Sequence, residues 1–223
     1  MKKLFKEIVQ ELVLVFKGKT LDTLLPPLVF ILTLNLFTLN IAIIVSVALS
    51  VLLWIFRIIK QDNQKYAIFG LFAVIIASLF AYLNNNPSTY FLPDILGSGL
   101  ILLITVYSLI VNKPLAAYVS HFTRGWPLAW FWRKDVLPAY REVTWFWLFY
   151  FVMRTLVETI LFLNDSIEQL VWFNTIIGFP LLIAILTISY LYGMWRLHQL
   201  EGPGVDEFIE GKEAPFKGQT RGF

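Results

Sequence analysis

Apolar residues along this chain are gathered in six runs that contain few charged side chains. The runs cover residues 24–38, 40–57, 67–83, 97–111, 144–163 and 171–196. Because roughly 20 helical residues cross a hydrocarbon core of about 30 Å, most of the runs can span a bilayer, although the first and fourth are short. The pattern predicts an all-α, polytopic membrane helix bundle with six transmembrane helices within residues 20–200.

The junction near residue 39 admits two interpretations. Residues 24–57 form either one over-long helix or two helices joined at the polar patch Asn35, Thr38 and Asn40. With six crossings and a cytoplasmic N-terminus, every Lys and Arg except Arg154 lies on the cytoplasmic side, as the positive-inside rule requires. A single crossing would put the basic N-terminus and the basic loop 57–65 on opposite sides. We therefore predict two helices here and both termini in the cytoplasm.

Residues 1–19 carry apolar side chains at the spacing of one helix face. These are Leu4, Phe5, Ile8, Val9, Leu12, Val13 and Phe16. Lys6, Glu7 and Glu11 interrupt the apolar core that a cleavable signal peptide needs. We predict an N-terminal amphipathic helix that lies in the membrane interface.

Small residues indicate where two of the predicted helices touch, because helices in lipid associate through close backbone approach. Such residues recur on the second run and on the third, and the two helices are expected to pack together. They are Ala42, Ser46 and Ser50, and then Gly70, Ala73, Ala77 and Ala81. Gly178 and Pro180 predict a kink in the sixth run.

The composition excludes several classes of protein. Apolar residues make up 58% and charged residues only 15%, against about 25% charged in soluble domains. A net charge of +3 does not favour nucleic acid as a partner. The chain has no cysteine and two histidines, and it lacks the common catalytic motifs, so we predict no enzyme activity, no cofactor, no catalytic residue and no metal site.

Arg154 and Glu158 are the costliest residues, since both lie within the fifth run. Four positions apart, they share one helix face and can form an intramembrane ion pair. One interpretation is a proton or substrate site lined by the pair. The other is a buried pair that fixes helix packing.

The cytoplasmic loop 113–142 combines cations with aromatic residues. They are His121, Arg124, Trp126, Trp130, Trp132, Arg133, Lys134 and Arg141. Such a surface suits anionic lipid headgroups or a protein partner, with ordinary positive-inside anchoring as the alternative. We expect this loop to lie on the inner membrane surface.

The tail 201–223 is rich in Gly and Pro and has too few apolar groups to build a core of its own. Phe208, Phe216 and Phe223 are its candidate anchors for a partner. Deletion of 201–223 is expected to leave the protein folded but to release that partner.

Several stretches between residues 25 and 198 resemble a bacterial, largely actinobacterial, family of integral membrane proteins known as a domain of unknown function. They are Thr89-Tyr90-Phe91-Leu92-Pro93-Asp94-Ile95-Leu96, Asn112-Lys113-Pro114-Leu115, Gly125-Trp126, Trp132-Arg133, Thr144-Trp145 through Arg154, and Gly178-Phe179-Pro180-Leu181. The six-helix layout is also distantly similar to the intracellular septation protein A family. The resemblance implies a multi-pass protein of the bacterial cytoplasmic (inner) membrane with a non-enzymatic role. Glu158 stands where the relatives are expected to carry a neutral amide.

These observations favour an accessory or scaffold subunit that docks to a larger membrane complex or to envelope machinery. Its expected partners are the lipid bilayer, anionic lipids and other membrane-protein subunits, reached through the loop and the tail. The alternative is a small transporter or channel that uses Arg154 and Glu158. An enzyme acting on lipid headgroups at the 113–142 surface is a third hypothesis.

Overall fold

The structure is a computed structural model that describes residues 21–61, 64–174 and 179–223. The described residues are helical or in turns, with no strand among them. The predicted helix within residues 1–19 lies outside the described part. The helices are α1 (Leu21–Leu36), α2 (Leu39–Ile59), α3 (Lys65–Asn84), a 3-10 helix (Pro87–Phe91), α4 (Leu92–Ile110), α5 (Leu115–Arg124), α6 (Leu128–Phe131), α7 (Leu137–Leu163), α8 (Ile167–Trp172), α9 (Phe179–Gln199) and α10 (Val205–Ile209).

Five helical segments among the described residues are long and apolar enough to cross a membrane. They are Leu39–Ile59, Ala67–Asn84, Pro87–Ile110, Leu137–Leu163 and Pro180–Gln199. The all-α membrane architecture is therefore as predicted. A sixth apolar helix, Leu25–Leu36, is shorter. The 16 residues of α1 reach about 24 Å at 1.5 Å per residue, so whether it spans the membrane stays a prediction.

The chain forms two separate helices where one over-long helix was the alternative. α1 ends at Leu36 and α2 begins at Leu39, with Thr38 in an extended conformation before it. The break lies within the polar patch that the sequence pointed to. Polar side chains at this position favour a turn because they lower the cost of exposing the helix ends.

Two predicted boundaries differ from the observed ones. The fifth helix was expected at 144–163, but α7 begins at Leu137. Its charged first turns stay helical because Glu142 is bound by Arg196 of α9, with Nε 2.9 Å from Oε2. The sixth run, 171–196, is divided between α8 and α9. Gly178, the expected kink position, lies outside the described residues.

One compact unit combines Met1–Leu96 with Val157–Gly178. In it α1 packs against α2, α3 and α8, and α2 packs against α3. Phe30 of α1 stacks on Tyr90 with ring centroids 4.0 Å apart. The loops before α4 and after α7 also meet here, because the Asp165 carboxylate accepts a hydrogen bond from the Ser88 hydroxyl at 2.8 Å.

The packing between α2 and α3 uses small side chains. Ala42, Ser46 and Ser50 are buried on α2, and Gly70, Ala77 and Ala81 are buried on α3. The serine hydroxyls donate to carbonyls of the preceding turn, Ser46 to Ile43 and Ser50 to Ser46, so both hydroxyls are satisfied within α2. Ala73 is exposed instead of buried, and Val74 takes the inward position beside it.

The second compact unit combines Gly97–Leu156 with Phe179–Phe223. α7 and α9 are joined in it by polar contacts between three pairs of described residues. The Trp147 indole donates to the Ser189 hydroxyl at 3.0 Å, and the Glu142 carboxylate accepts from Tyr192 at 2.7 Å as well as from Arg196. The short helices α5, α6 and α10 complete this unit.

Candidate functional site

The second unit contains an aromatic core at one end of α7 and α9. We call this part the cap, formed by residues 115–143, which include α5 and α6, and by residues 193–223. Trp130 and Phe131 of α6 are fully buried in it, together with Trp126 and Tyr140. Trp130 meets Phe131 and Tyr140 edge to face, with centroids 5.0 and 6.0 Å apart. Edge-to-face packing of this kind fixes ring orientation as well as burying area.

The chain reverses direction sharply to bring these rings together. α5 ends at Gly125, whose φ of +72° is readily adopted only by glycine. Pro127 then precedes α6. The His121 ring nitrogen Nδ1 lies 2.6 Å from the Trp126 carbonyl oxygen, so Nδ1 carries the proton and donates to that oxygen. His121 therefore has a structural contact within the turn.

The Gly- and Pro-rich tail covers this aromatic core. The Phe223 ring stacks on Tyr140 with centroids 4.2 Å apart and planes 12° apart. The Trp130 indole donates to the Pro203 carbonyl at 2.9 Å, and Val205 is fully buried. The tail builds no core of its own, as expected from its composition, but it completes the core of the cap.

Glycine in the tail and beneath it permits close approach. A Cβ atom at Gly193 would lie 2.3 Å from the Phe223 ring, and one at Gly204 would lie 2.5 Å from the Gly218 carbonyl oxygen. Both distances are far shorter than any stable contact. These glycines therefore allow the tail to pack tightly on itself and on α9.

Glu207 holds the tail in its folded form. Its Oε1 accepts from the Lys217 amide at 2.8 Å, and its Oε2 accepts from the amides of Gly204 at 2.9 Å and Gly218 at 3.1 Å. These hydrogen bonds, first those from Lys217 and Gly204, lower the pKa of the Glu207 carboxyl. The carboxylate thus joins both ends of the segment 207–217.

Arg133 connects the loop to the tail anchors. Its guanidinium forms a two-point contact with Asp135, with Nε to Oδ1 at 2.9 Å and Nη2 to Oδ2 at 2.7 Å. The hydrogen bonds that Arg133 donates to Asp135 raise the pKa of the guanidinium. The same group lies 5.9 Å from the ring centroids of both Phe208 and Phe216. Arg133 was predicted on the loop surface, and Phe208 and Phe216 were predicted as anchors on the tail. The structure brings the three residues together in one cluster.

The remaining predicted surface residues divide into two sets. Arg124 donates to the Arg221 carbonyl at 3.2 Å and lies 5.0 Å from the Trp126 ring, so it is engaged with the tail. Arg221 in turn pairs with Asp206 at 2.8 Å. Lys134 and Arg141, by contrast, have exposed side chains.

Two of the tryptophans expected at a lipid or partner surface are inside the protein. Trp126 and Trp130 are buried in the cap and cannot contact lipid while the tail covers them. Trp132 is half-buried and meets Tyr118 edge to face at 5.6 Å. The expectation for Trp126 and Trp130 is corrected because the tail provides the apolar cover that membrane lipid was expected to provide. Phe223 likewise has its contact within the chain, on Tyr140.

Arg154 and Glu158 both lie on α7 in a candidate membrane span. Arg154 is half-buried, and its Nη1 lies 3.4 Å from the Tyr150 hydroxyl oxygen. Glu158 is fully buried. The ion pair between Arg154 and Glu158 stays a prediction. Among the described residues, no group of three or more His, Asp or Glu side chains could hold a metal ion.

Three residues that hold the cap together, Glu207, Tyr140 and Gly193, were not predicted from the sequence. A signal was present for one of them: Val205, Phe208 and Ile209 have the spacing of a short helix, and a glutamate at its third position is a common capping residue. Tyr140 and Gly193 carry no comparable local signal, because their role depends on a ring more than 20 residues away.

Comparison with known proteins gave one match. No curated protein and no solved structure matched the chain. A family model described as "Protein of unknown function (DUF3159)" matched residues 18–198. That range includes α1 to α8 and nearly all of α9, and the whole tail 201–223 lies beyond it. Since the match extends over more than half of the chain, this protein belongs to the DUF3159 family of proteins of unknown function.

Proposed function

We propose that this protein is a non-enzymatic accessory or scaffold subunit of the bacterial inner membrane that docks to a larger membrane complex through its cap. The observation that carries the proposal is the folded tail. The Gly- and Pro-rich tail is held in its folded form by Glu207, Arg133 and the aromatic core. A fixed surface with exposed cations suits protein docking, which requires preorganised contacts.

The proposed topology has six crossings with both termini in the cytoplasm. It is supported by the distribution of Lys and Arg and by the contacts between loops. The loops that contain Ser88 and Asp165, both assigned to the outside, bind each other. The loop 113–142 and the tail, both assigned to the cytoplasm, also bind each other.

Cysteine labelling in intact cells tests this topology, and the natural chain offers no competing thiol. Lys19→Cys, Lys134→Cys and Thr220→Cys are expected to resist a membrane-impermeant maleimide. Asn40→Cys, Asn84→Cys and Glu168→Cys are expected to react with it. If Lys19→Cys and Asn40→Cys react alike, α1 does not cross and the six-crossing topology is wrong.

The docking role is tested by the mass of the particle extracted from native membranes in mild detergent. Lys134 and Arg141 are exposed on the cap, so their replacement by Glu leaves its core intact. We expect wild-type protein to travel in a larger particle and Lys134→Glu/Arg141→Glu to travel alone. Lys60→Glu, an exposed charge reversal on another cytoplasmic segment, is the matched control. A wild-type chain that travels alone would contradict the proposal.

A transporter that uses Arg154 and Glu158 is the second candidate. It is favoured by the complete burial of Glu158 within a candidate membrane span, where an ionisable residue is costly and often functional. Ion flux into vesicles that contain the purified protein tests it. A flux that persists unchanged in Arg154→Ala/Glu158→Ala would remove the pair from the transport path.

A further inference from the structure

Helix α5 (Leu115–Arg124) buries small side chains and exposes large apolar ones, which is the reverse of a surface helix in a soluble domain. Its small residues face the protein, with Ala117 at 0% and Ser120 at 8% exposure. Two of its bulky apolar residues face away, Val119 at 40% and Phe122 at 80% exposure, while Leu115 and Tyr118 are partly buried. A surface helix of a soluble domain normally buries its large apolar side chains.

The outward orientation of α5 is fixed by hydrogen bonds at both ends. At its start, the Leu115 amide donates to the Ser108 hydroxyl at 3.1 Å and the Ala116 amide donates to the Thr144 hydroxyl at 3.2 Å. At its end, His121 binds the Trp126 carbonyl. The helix therefore cannot rotate to bury Phe122 without losing these bonds.

The position of α5 identifies what covers its outer face. It begins shortly after α4, which ends a candidate membrane span at Ile110. The last turn of α4 exposes Tyr107 and Ile110, apolar side chains of the kind that face lipid. α5 thus begins shortly after a candidate membrane span whose last turn exposes apolar side chains.

A charge beside α5 agrees with this position. Lys113 precedes the helix and its side chain is exposed, whereas Arg124 at the other end is engaged with the tail. A cation beside an apolar helix face is typical of helices that lie in a bilayer interface, where it meets phosphate headgroups. Transfer of a Phe side chain from water to an apolar medium is also favourable.

We propose that α5 is an interfacial helix whose Val119 and Phe122 side chains insert into the lipid leaflet at which α4 ends. The ligand is the bilayer surface itself. The inference requires that α4 crosses the membrane, but it is independent of the accessory role. It also differs from the expected lipid surface, because the inserting residues are not the tryptophans of the loop.

Depth measurement in vesicles tests this inference. The full chain carrying Phe122→Cys is labelled with an environment-sensitive fluorophore and reconstituted into phosphatidylcholine and phosphatidylglycerol vesicles. Phe122 is largely exposed, so its replacement removes little core packing. We expect quenching by lipids with a nitroxide near the headgroup and protection from aqueous iodide. A label at Val119→Cys is expected to behave in the same way.

Lys134→Cys is the matched control, since it is exposed on the same cap, and its label is expected to be quenched by iodide. If the Phe122 label is quenched by iodide as strongly as the control, the inference is wrong. Protection from both quenchers would show that protein, such as a second copy of the chain, covers α5, and this would also overturn the inference. The docking role is tested separately, by the mass of the particle extracted from native membranes, and neither outcome here changes that result.

Discussion

Single residues decide whether the tail can lie on the cap. The contact between Gly193 and the Phe223 ring leaves no space for a side chain, because a Cβ would meet the ring at 2.3 Å. The contact between Gly204 and Gly218 has the same property. Such positions cannot be recognised from sequence, because glycine is equally expected in an unstructured tail.

Replacement of Gly193 by Ala is expected to displace Phe223 from Tyr140. Overpacking of this kind costs about 1–3 kcal/mol, so amides in 203–223 should lose protection from hydrogen exchange in detergent. Gly99→Ala in α4 is the matched control, since nothing lies within 4 Å of its Cβ position. Equal protection in the two variants would show that Phe223 does not depend on Gly193.

Acid is expected to release the tail through Glu207. Its carboxyl has a lowered pKa in the folded tail, so its contribution is complete above the ordinary value of 4.5 and is lost as the pH falls through the lowered pKa. A spin label at Thr220→Cys should report greater mobility only below about pH 4.5.

The variant Glu207→Gln is expected to show a mobile label already at pH 7, because a neutral amide binds the Lys217, Gly204 and Gly218 amides more weakly than a carboxylate does. Glu213→Gln, at an exposed position of the same segment, serves as the control. An immobile label in Glu207→Gln at pH 7 would show that other contacts hold the tail.

At the scale of elements, apolar runs predicted the membrane helices and their order. They could not predict that α7 starts at Leu137, because Arg141 and Glu142 interrupt the apolar pattern and the partner of Glu142 is on α9. Trp126 and Trp130 were predicted to lie on a lipid or partner surface, but both are buried. Tryptophan prefers both interfaces and cores, and only the folded tail distinguishes the two environments here.

The interface between α2 and α3 is expected to tolerate large residues at Ala73 but not at Ala81. Ala81 is fully buried, whereas Ala73 is exposed on the same helix. Ala81→Leu should lower the free energy of unfolding by about 1–3 kcal/mol, seen as a lower melting temperature in detergent. Ala73→Leu should leave the melting temperature near that of wild type. Equal melting temperatures would contradict the observed packing of α3.

On the scale of the whole molecule, deletion of the tail is no longer expected to be harmless. A chain that ends at Leu200 loses Val205 and Phe223 from the cap core and leaves the Trp130 indole without its acceptor on Pro203. Loss of a buried hydrogen-bond partner alone costs about 1–3 kcal/mol.

We therefore expect the truncated chain to melt at a lower temperature than wild type and to aggregate in detergent. Size-exclusion chromatography after heating measures both effects, with Lys134→Glu/Arg141→Glu as a variant that keeps the core. A truncated chain with the melting temperature of wild type would show that the cap core is complete without the tail.

The closure of the cap by residues distant in sequence has a consequence for biosynthesis. The Trp130 indole donates a hydrogen bond to the carbonyl of Pro203, which lies 73 positions later in the chain. Arg124 donates to the carbonyl of Arg221, which lies 97 positions later. During translation, the ribosome synthesises α7 and α9 before the residues that cover Trp130 and Tyr140. Until then the nascent chain presents an uncovered aromatic surface, which chaperones and proteases recognise in incomplete proteins. Prematurely terminated chains would therefore be marked for degradation by the same aromatic residues that stabilise the finished protein.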